Sequence, residues 1–149
     1  MQRFVEILPD HSSAVSATIT LSFEQRTRSR LRVKTDSDIE AGLFLPRGTI
    51  LNQGDHLRAE DGTVVEVKAA SETVSCASTG DPLLLSRACY HLGNRHVPLQ
   101  IGPGSVRYLH DHVLDDMVRA LGLMVVTMQA PFEPEQGAYY RSGSVHDHG

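Results

Sequence analysis

Six of the eight histidines in this chain lie beyond residue 90, in three short clusters: His91-Leu-Gly-Asn-Arg-His96, His110-Asp-His112 and His146-Asp-His148. Imidazole is the commonest protein ligand for late first-row metals, and it coordinates in its neutral form near physiological pH. Three such clusters in one half of a small protein point to metal handling. The other half carries only His11 and His56, and the sequence offers neither a partner.

The clusters are not equivalent. His91 is expected in the last turn of a helix, where an imidazolium would interact well with the helix dipole and need not be a ligand. His96 follows a turn made by Gly93, Asn94 and Arg95, a good place from which to present a ligand. His110 and His112 would share a face on a strand but diverge by about 200° on a helix. If Asp111 caps a helix, His110 lies outside it and His112 is its first residue. These two then form a weaker second site, with Asp111 as a further candidate donor, or remain solvated beside a capping residue. His146 and His148 fall in a segment, 142–149, expected to be a flexible tail that could add ligands to a metal held elsewhere.

The elements that must position these groups follow from local patterns. Residues 1–75 read as β-rich. Thr18 to Phe23 alternates apolar and polar residues, and Arg26 to Lys34 alternates strictly, with cations at 26, 28, 30, 32 and 34. A period of two places such a set on one strand face. Pro46-Arg-Gly48 and Asp61-Gly62 read as turns, the second a hairpin signal, followed by a return strand from Thr63 to Val67. The pattern changes after about residue 75. A strand over Glu72 to Ala77 is followed by a helix starting at Asp81-Pro82 and ending at Gly93. Strands are expected over Val97 to Ile101 and Val106 to Leu109, around a Gly102-Pro-Gly104 turn. A second helix capped by Asp111 runs to Gly122, and Leu123 to Met128 is a last strand. From Ala130 the chain reads as an extended tail. The order β-α-β-β-α-β is the ferredoxin-like split βαβ. The expected fold class is α+β: an all-β small domain over 1–75, a ferredoxin-like domain over 76–141, then the tail.

The net charge of −4 argues against a broadly nucleic-acid-binding protein. With no Trp and four Phe, a large aromatic ligand platform is not expected. No run approaches the roughly 18 apolar residues needed to span a bilayer. The start Met-Gln-Arg-Phe-Val-Glu-Ile-Leu lacks the apolar stretch of a signal peptide, so a cytoplasmic protein is expected. Cys76 and Cys89 do not form a C-x-x-C pair and read as free, partly buried thiols. The basic run is a solvated or edge-protecting strand face, or a surface for an acidic protein partner, with Arg28, Arg30 and Arg32 as its candidates.

Ligand number decides how a metal could be held. A tetrahedral ion wants four donors and octahedral Ni(II) up to six. The fixed part of one chain offers one well-placed imidazole, His96. A symmetric dimer would bring the same residue from both chains to its two-fold axis. Two His96 side chains with tail donors make an open, exchangeable site, which suits a carrier.

The run Ala88-Cys-Tyr-His-Leu-Gly-Asn-Arg-His-Val-Pro-Leu-Gln100 resembles the signature of the urease accessory protein E family, nickel metallochaperones of urease maturation. Tyr108 to Met117, Ala130 to Tyr139, Ser29 to Arg32 and Glu40 to Thr49 resemble it too. The resemblance implies an N-terminal partner-binding β domain and a C-terminal ferredoxin-like domain that binds metal and forms a homodimer. It makes His96 the central nickel ligand, given by both subunits, and puts peripheral metal sites at positions matching His110 and His112. Delivery would be to apo-urease, through a complex with the urease accessory GTPase. Some members end in a long His-rich tail. Here only His146 and His148 remain, which favours single-site delivery over storage. Zn(II) and Cu(II) should compete with Ni(II) in vitro. Two other readings stay open: an acid–base enzyme using His110 with Asp111 or Asp115, and a metal-independent adaptor of urease assembly.

Overall fold

A computed structural model describes residues 1–137; the expected tail, with His146 and His148, lies outside the described residues. The chain divides into two compact units, Met1–Ala70 and Ser71–Gln136.

The first unit contains strands β1 (Gln2–Ile7), β2 (Ala17–Leu21), β3 (Arg30–Lys34), β4 (Glu40–Phe44), β5 (His56–Ala59) and β6 (Val64–Ala69). They form one sheet in the order β2-β6-β5-β1-β4-β3. The β1–β4 and β2–β6 pairs are parallel and the others antiparallel. Alternation supplies the core: Ile19 and Leu21 are buried while Thr20 between them is exposed. Phe4, Leu43, Leu57, Val65 and Val67 join them. The Asp61-Gly62 hairpin joins β5 to β6. Gly62 takes φ +91° and Asp61 Oδ1 accepts the Thr63 N–H at 2.9 Å.

The basic run from Arg26 to Lys34 is not one strand. Ser22 Oγ accepts the Gln25 N–H at 3.2 Å, and Gln25 Oε1 accepts the Ser22 N–H at 2.9 Å. This reciprocal capping box starts a one-turn helix, α1 (Phe23–Arg26), within the β unit. Arg26 is 2% exposed, with Nη1 3.4 Å from the Leu51 carbonyl. Arg28 follows the helix and pairs with Glu24 at 2.9 Å. Only Arg30, Arg32 and Lys34 share the outer side of β3, because Val33 between them is in the core.

The second unit runs β7 (Ser71–Ser78), α2 (Pro82–Asn94), β8 (Gln100–Gly102), β9 (Ser105–Leu109), α3 (His112–Leu121) and β10 (Met124–Pro131). The sheet order is β10-β7-β9-β8, and every pair is antiparallel. This is the ferredoxin-like arrangement, and β7 passes unbroken through residue 75. Asp81 caps α2 by accepting the Leu83 N–H at 3.0 Å, with Pro82 in the first turn. Ala88 and Leu92 of α2, and Leu114 and Val118 of α3, pack on Ala77, Val106 and Tyr108 of the sheet. Gly122 ends α3 at φ +111°, a conformation that costs glycine little.

Two expected strands differ in length. The strand expected from Val97 begins only at Gln100, because the preceding residues are spent closing α2. The last strand continues past Met128 in register to Pro131 opposite Ser71, so the chain from Ala130 does not start as an extended tail. Phe132 beyond it is fully buried. Among the described residues no helix is long and apolar enough to cross a membrane.

Candidate metal centre

Helix α2 does not stop at Gly93. It continues to Asn94 with Arg95 as its cap, and the residue in the left-handed region is His96, at φ +58°. The His96 N–H donates to the Gly93 carbonyl at 2.9 Å and the Val97 N–H to the Leu92 carbonyl at 3.4 Å. These are the two bonds of a Schellman motif, with His96 in the place usually held by glycine. The motif also wants an apolar contact between its third-last helical residue and the residue after the left-handed one. Leu92 is fully buried and Val97 packs against the same core. With Gly93 in the left-handed place, those two positions would be Cys89 and polar Asn94. The Leu92–Val97 contact therefore outcompetes glycine's freedom. A side chain in this backbone region costs about 1–2 kcal/mol. The result is an exposed imidazole on a backbone fixed by two hydrogen bonds and a buried anchor.

His110 is held differently. Its N–H donates to the Thr73 carbonyl at 3.1 Å, tying the end of β9 to β7. Its Nδ1 lies 3.3 Å from Asp115 Oδ2 and 3.0 Å from Ser75 Oγ. Tyr108 donates its hydroxyl to the other Asp115 oxygen, Oδ1, at 2.6 Å. Asp115 is 2% exposed, while the His110 side chain is 40% exposed. Burial, then the Asp115 carboxylate beside it, pushes the Tyr108 hydroxyl well above its ordinary range, with a Ser75 hydrogen bond opposing. Sequence reasoning named Asp115 only as an enzyme partner and missed Ser75 and Tyr108. The signal available was the period of two that puts Tyr108 with Val106 on the inward face of β9.

The three acidic groups at the start of α3 part company. Asp111 Oδ1 caps the helix through the Val113 and Leu114 N–H groups, at 2.8 and 3.2 Å. Asp115 turns into the core, and Asp116 faces outward, 3.7 Å from Arg119. His112 is the exposed first residue of α3. Among the described residues no three His, Cys, Asp or Glu side chains come together as a metal-holding group, so His96, His110 and His112 form no single chelate within one chain. Cys76 and Cys89 are free and half-buried, and burial pushes the Cys89 thiol up.

His91 lies in the last turn of α2, edge-on to Tyr90 at 5.3 Å. His11 and His56 are not without partners: their rings stack 4.0 Å apart, 18° from parallel. Parallel stacked imidazoles do not chelate one ion, so this pair is a packing contact and no metal site.

Comparison with known families matches residues 4–70 to the N-terminal domain of the UreE urease accessory protein and residues 72–149 to its C-terminal domain. The chain is 60% identical over 139 residues to the urease accessory protein UreE of Alkalilimnicola ehrlichii, covering 93% of this chain and 85% of that one. It is 58% identical to the UreE of Vibrio parahaemolyticus, over 88% of this chain and 82% of the relative. Its identity to the UreE of Proteus mirabilis is 52%, with coverage of 93% and 91%.

Proposed function

The chain belongs to the UreE family of urease accessory proteins, and from that premise we propose that it is a nickel metallochaperone, and not an enzyme, delivering Ni(II) to apo-urease during urease maturation. One tight Ni(II) is bound per homodimer, bridged by His96 of both subunits. The observation that carries the reading is the backbone at His96: a histidine where glycine would be relaxed, exposed at a rigid helix end. Residues held in costly backbone regions cluster at functional sites. One such imidazole per chain is too few for any ion, and a two-fold axis doubles it. Exposed apolar side chains in the same unit, Leu83 and Tyr90 on α2 and Met124 and Val126 on β10, are in keeping with burial against a second copy.

His110 and His112 serve as peripheral ligands, and His146 and His148 supplement the bridge. Asp111 has only its second oxygen left to give once Oδ1 has capped α3. Zn(II) and Cu(II) bind the same imidazoles in vitro. The protein works in the cytoplasm, with the urease accessory GTPase and apo-urease as partners and with no role for nucleic acid or membrane. Arg30 and Arg32 on the outer side of β3, with Arg28 beside them, offer the acidic partner surface.

The deciding experiment joins calorimetric nickel titration to light-scattering mass, for the intact chain, His96→Ala and a chain ending at Tyr140. One tight ion per dimer, lost in His96→Ala, is expected. Unchanged tight binding in that variant would overturn the assignment. The adaptor reading draws on the lack of a three-donor cluster among the described residues of one chain. Partner binding indifferent to nickel and chelators would favour it.

A further inference from the structure

We propose that Asp115, braced by Tyr108 and Ser75, is a positioning residue that holds His110 in the Nδ1–H tautomer and so reserves its Nε2 for metal. The inference rests on reading His110 as a peripheral nickel ligand.

The argument is one of donors and acceptors. An ionised carboxylate only accepts, and one buried this deeply needs a donor at each oxygen. Tyr108 supplies the donor to Oδ1 at 2.6 Å. At Oδ2 the group in place is His110 Nδ1, at 3.3 Å. If Ser75 donated its hydroxyl to Nδ1, the nitrogen would show a lone pair to a carboxylate oxygen, both beside a buried wall. If Nδ1 carries the hydrogen, every group is satisfied. Nδ1–H donates to Asp115 Oδ2 and shares that hydrogen with Ser75 Oγ, 3.0 Å away. Ser75, fully buried, then has its own hydroxyl hydrogen free to turn toward the Tyr108 oxygen. In this arrangement both Asp115 oxygens accept a hydrogen, and the His110 Nδ1–H is the one donor shared between two acceptors.

This leaves Nε2 as the only ring nitrogen with a free lone pair, on a side chain 40% exposed although its carboxylate partner is 3% exposed. A carboxylate on the far nitrogen of a ligand histidine fixes its tautomer and orientation and raises its basicity. Among the described residues His112 has no such support: it opens α3 on the solvent side. The two histidines of His110-Asp-His112 are therefore unequal, the first oriented before metal arrives and the second not.

Long-range proton–nitrogen correlation spectra of the metal-free full chain, at mildly alkaline pH where imidazole is neutral, read the tautomer directly. His110 is expected as Nδ1–H, with an unprotonated Nε2 resonance. Asp115→Asn turns an amide N–H₂ toward Nδ1, so the ring should switch to Nε2–H while His91 and His112 keep their spectra. Tyr108→Phe keeps the carboxylate and should keep the wild-type tautomer. Nickel should then broaden His110 resonances at about 10–100-fold higher concentration in Asp115→Asn than in wild type, with the tight His96-dependent site retained. Finding His110 as Nε2–H in the wild-type chain overturns the proposal, and that measurement needs no variant to fold. An unchanged tautomer in Asp115→Asn also overturns it. The expected tautomers, with His110 resonances indifferent to nickel, would uphold the cradle and overturn the ligand reading of His110 alone.

Discussion

The Val97 amide donates to the Leu92 carbonyl at 3.4 Å, and this bond closes the helix end that holds His96 in a left-handed backbone. The apolar contact between the same two residues sets where the helix stops. Stability and the proposed ligand role are thus in opposition at residue 96.

That opposition is measurable. His96→Gly should raise the stability of the metal-free protein over His96→Ala by about 1 kcal/mol, because alanine keeps the left-handed cost and glycine does not. Both variants lose the imidazole proposed to bridge the metal. Urea unfolding of the two chains side by side checks this. Equal midpoints would mean that residue 96 is not left-handed in solution.

Asp111 can be assigned to capping or to coordination by choosing substitutions that separate the roles. Asp111→Ala should cost about 1 kcal/mol through loss of the bonds to Val113 and Leu114. Asp111→Ser restores a capping oxygen and most of that stability, but no carboxylate. If nickel stoichiometry in Asp111→Ser matches wild type, Asp111 is a cap. A lost peripheral ion in a chain of normal stability would make it a ligand as well.

The order of elements in the second unit was legible because each is specified locally. Asp81-Pro82 starts a helix, Gly102-Pro-Gly104 turns, and Asp111 and Gly122 bracket α3. What escaped was set by competition or by distance. Gly93 looked like the helix end until the Leu92–Val97 contact was weighed against it. The capping box of Ser22 and Gln25 interrupts what alternation alone read as one basic strand, and it buries Arg26. Contacts such as His11 on His56 and Ser75 beside His110 join residues far apart in the chain, and no local pattern encodes them. The ligand candidates themselves were visible as residue types. Their unequal ranks were read from local sequence context and the family resemblance; what the sequence did not show was the left-handed backbone at His96 and the Asp115 contact of His110.

Two carboxylates in the first unit should respond to pH with opposite signs. Asp55 is raised above its ordinary value, chiefly by burial, although its Oδ2 accepts the Asn52 N–H at 2.8 Å. The folded state holds this proton more tightly than the unfolded state, so the group's contribution declines as pH rises through the unfolded and then the folded value. Asp55→Asn keeps an acceptor for Asn52 without the charge, and it should gain stability over wild type as pH goes from acid to neutral. At Asp36 burial also pushes upward, but it is outweighed by hydrogen bonds from the Thr18 hydroxyl at 2.6 Å, the Thr20 hydroxyl at 2.8 Å and the Thr20 N–H at 3.2 Å. Its value is lowered. The stability it contributes is present above the unfolded carboxylate value and lost as pH falls through the folded one. Asp36→Asn should therefore be less stable than wild type at neutral pH, with the gap closing in acid. Denaturant midpoints of the three chains, measured from neutral pH down through the carboxylate range, give both slopes. Parallel curves for the two variants would remove burial at Asp55 and hydrogen bonding at Asp36 as the sources of opposite shifts.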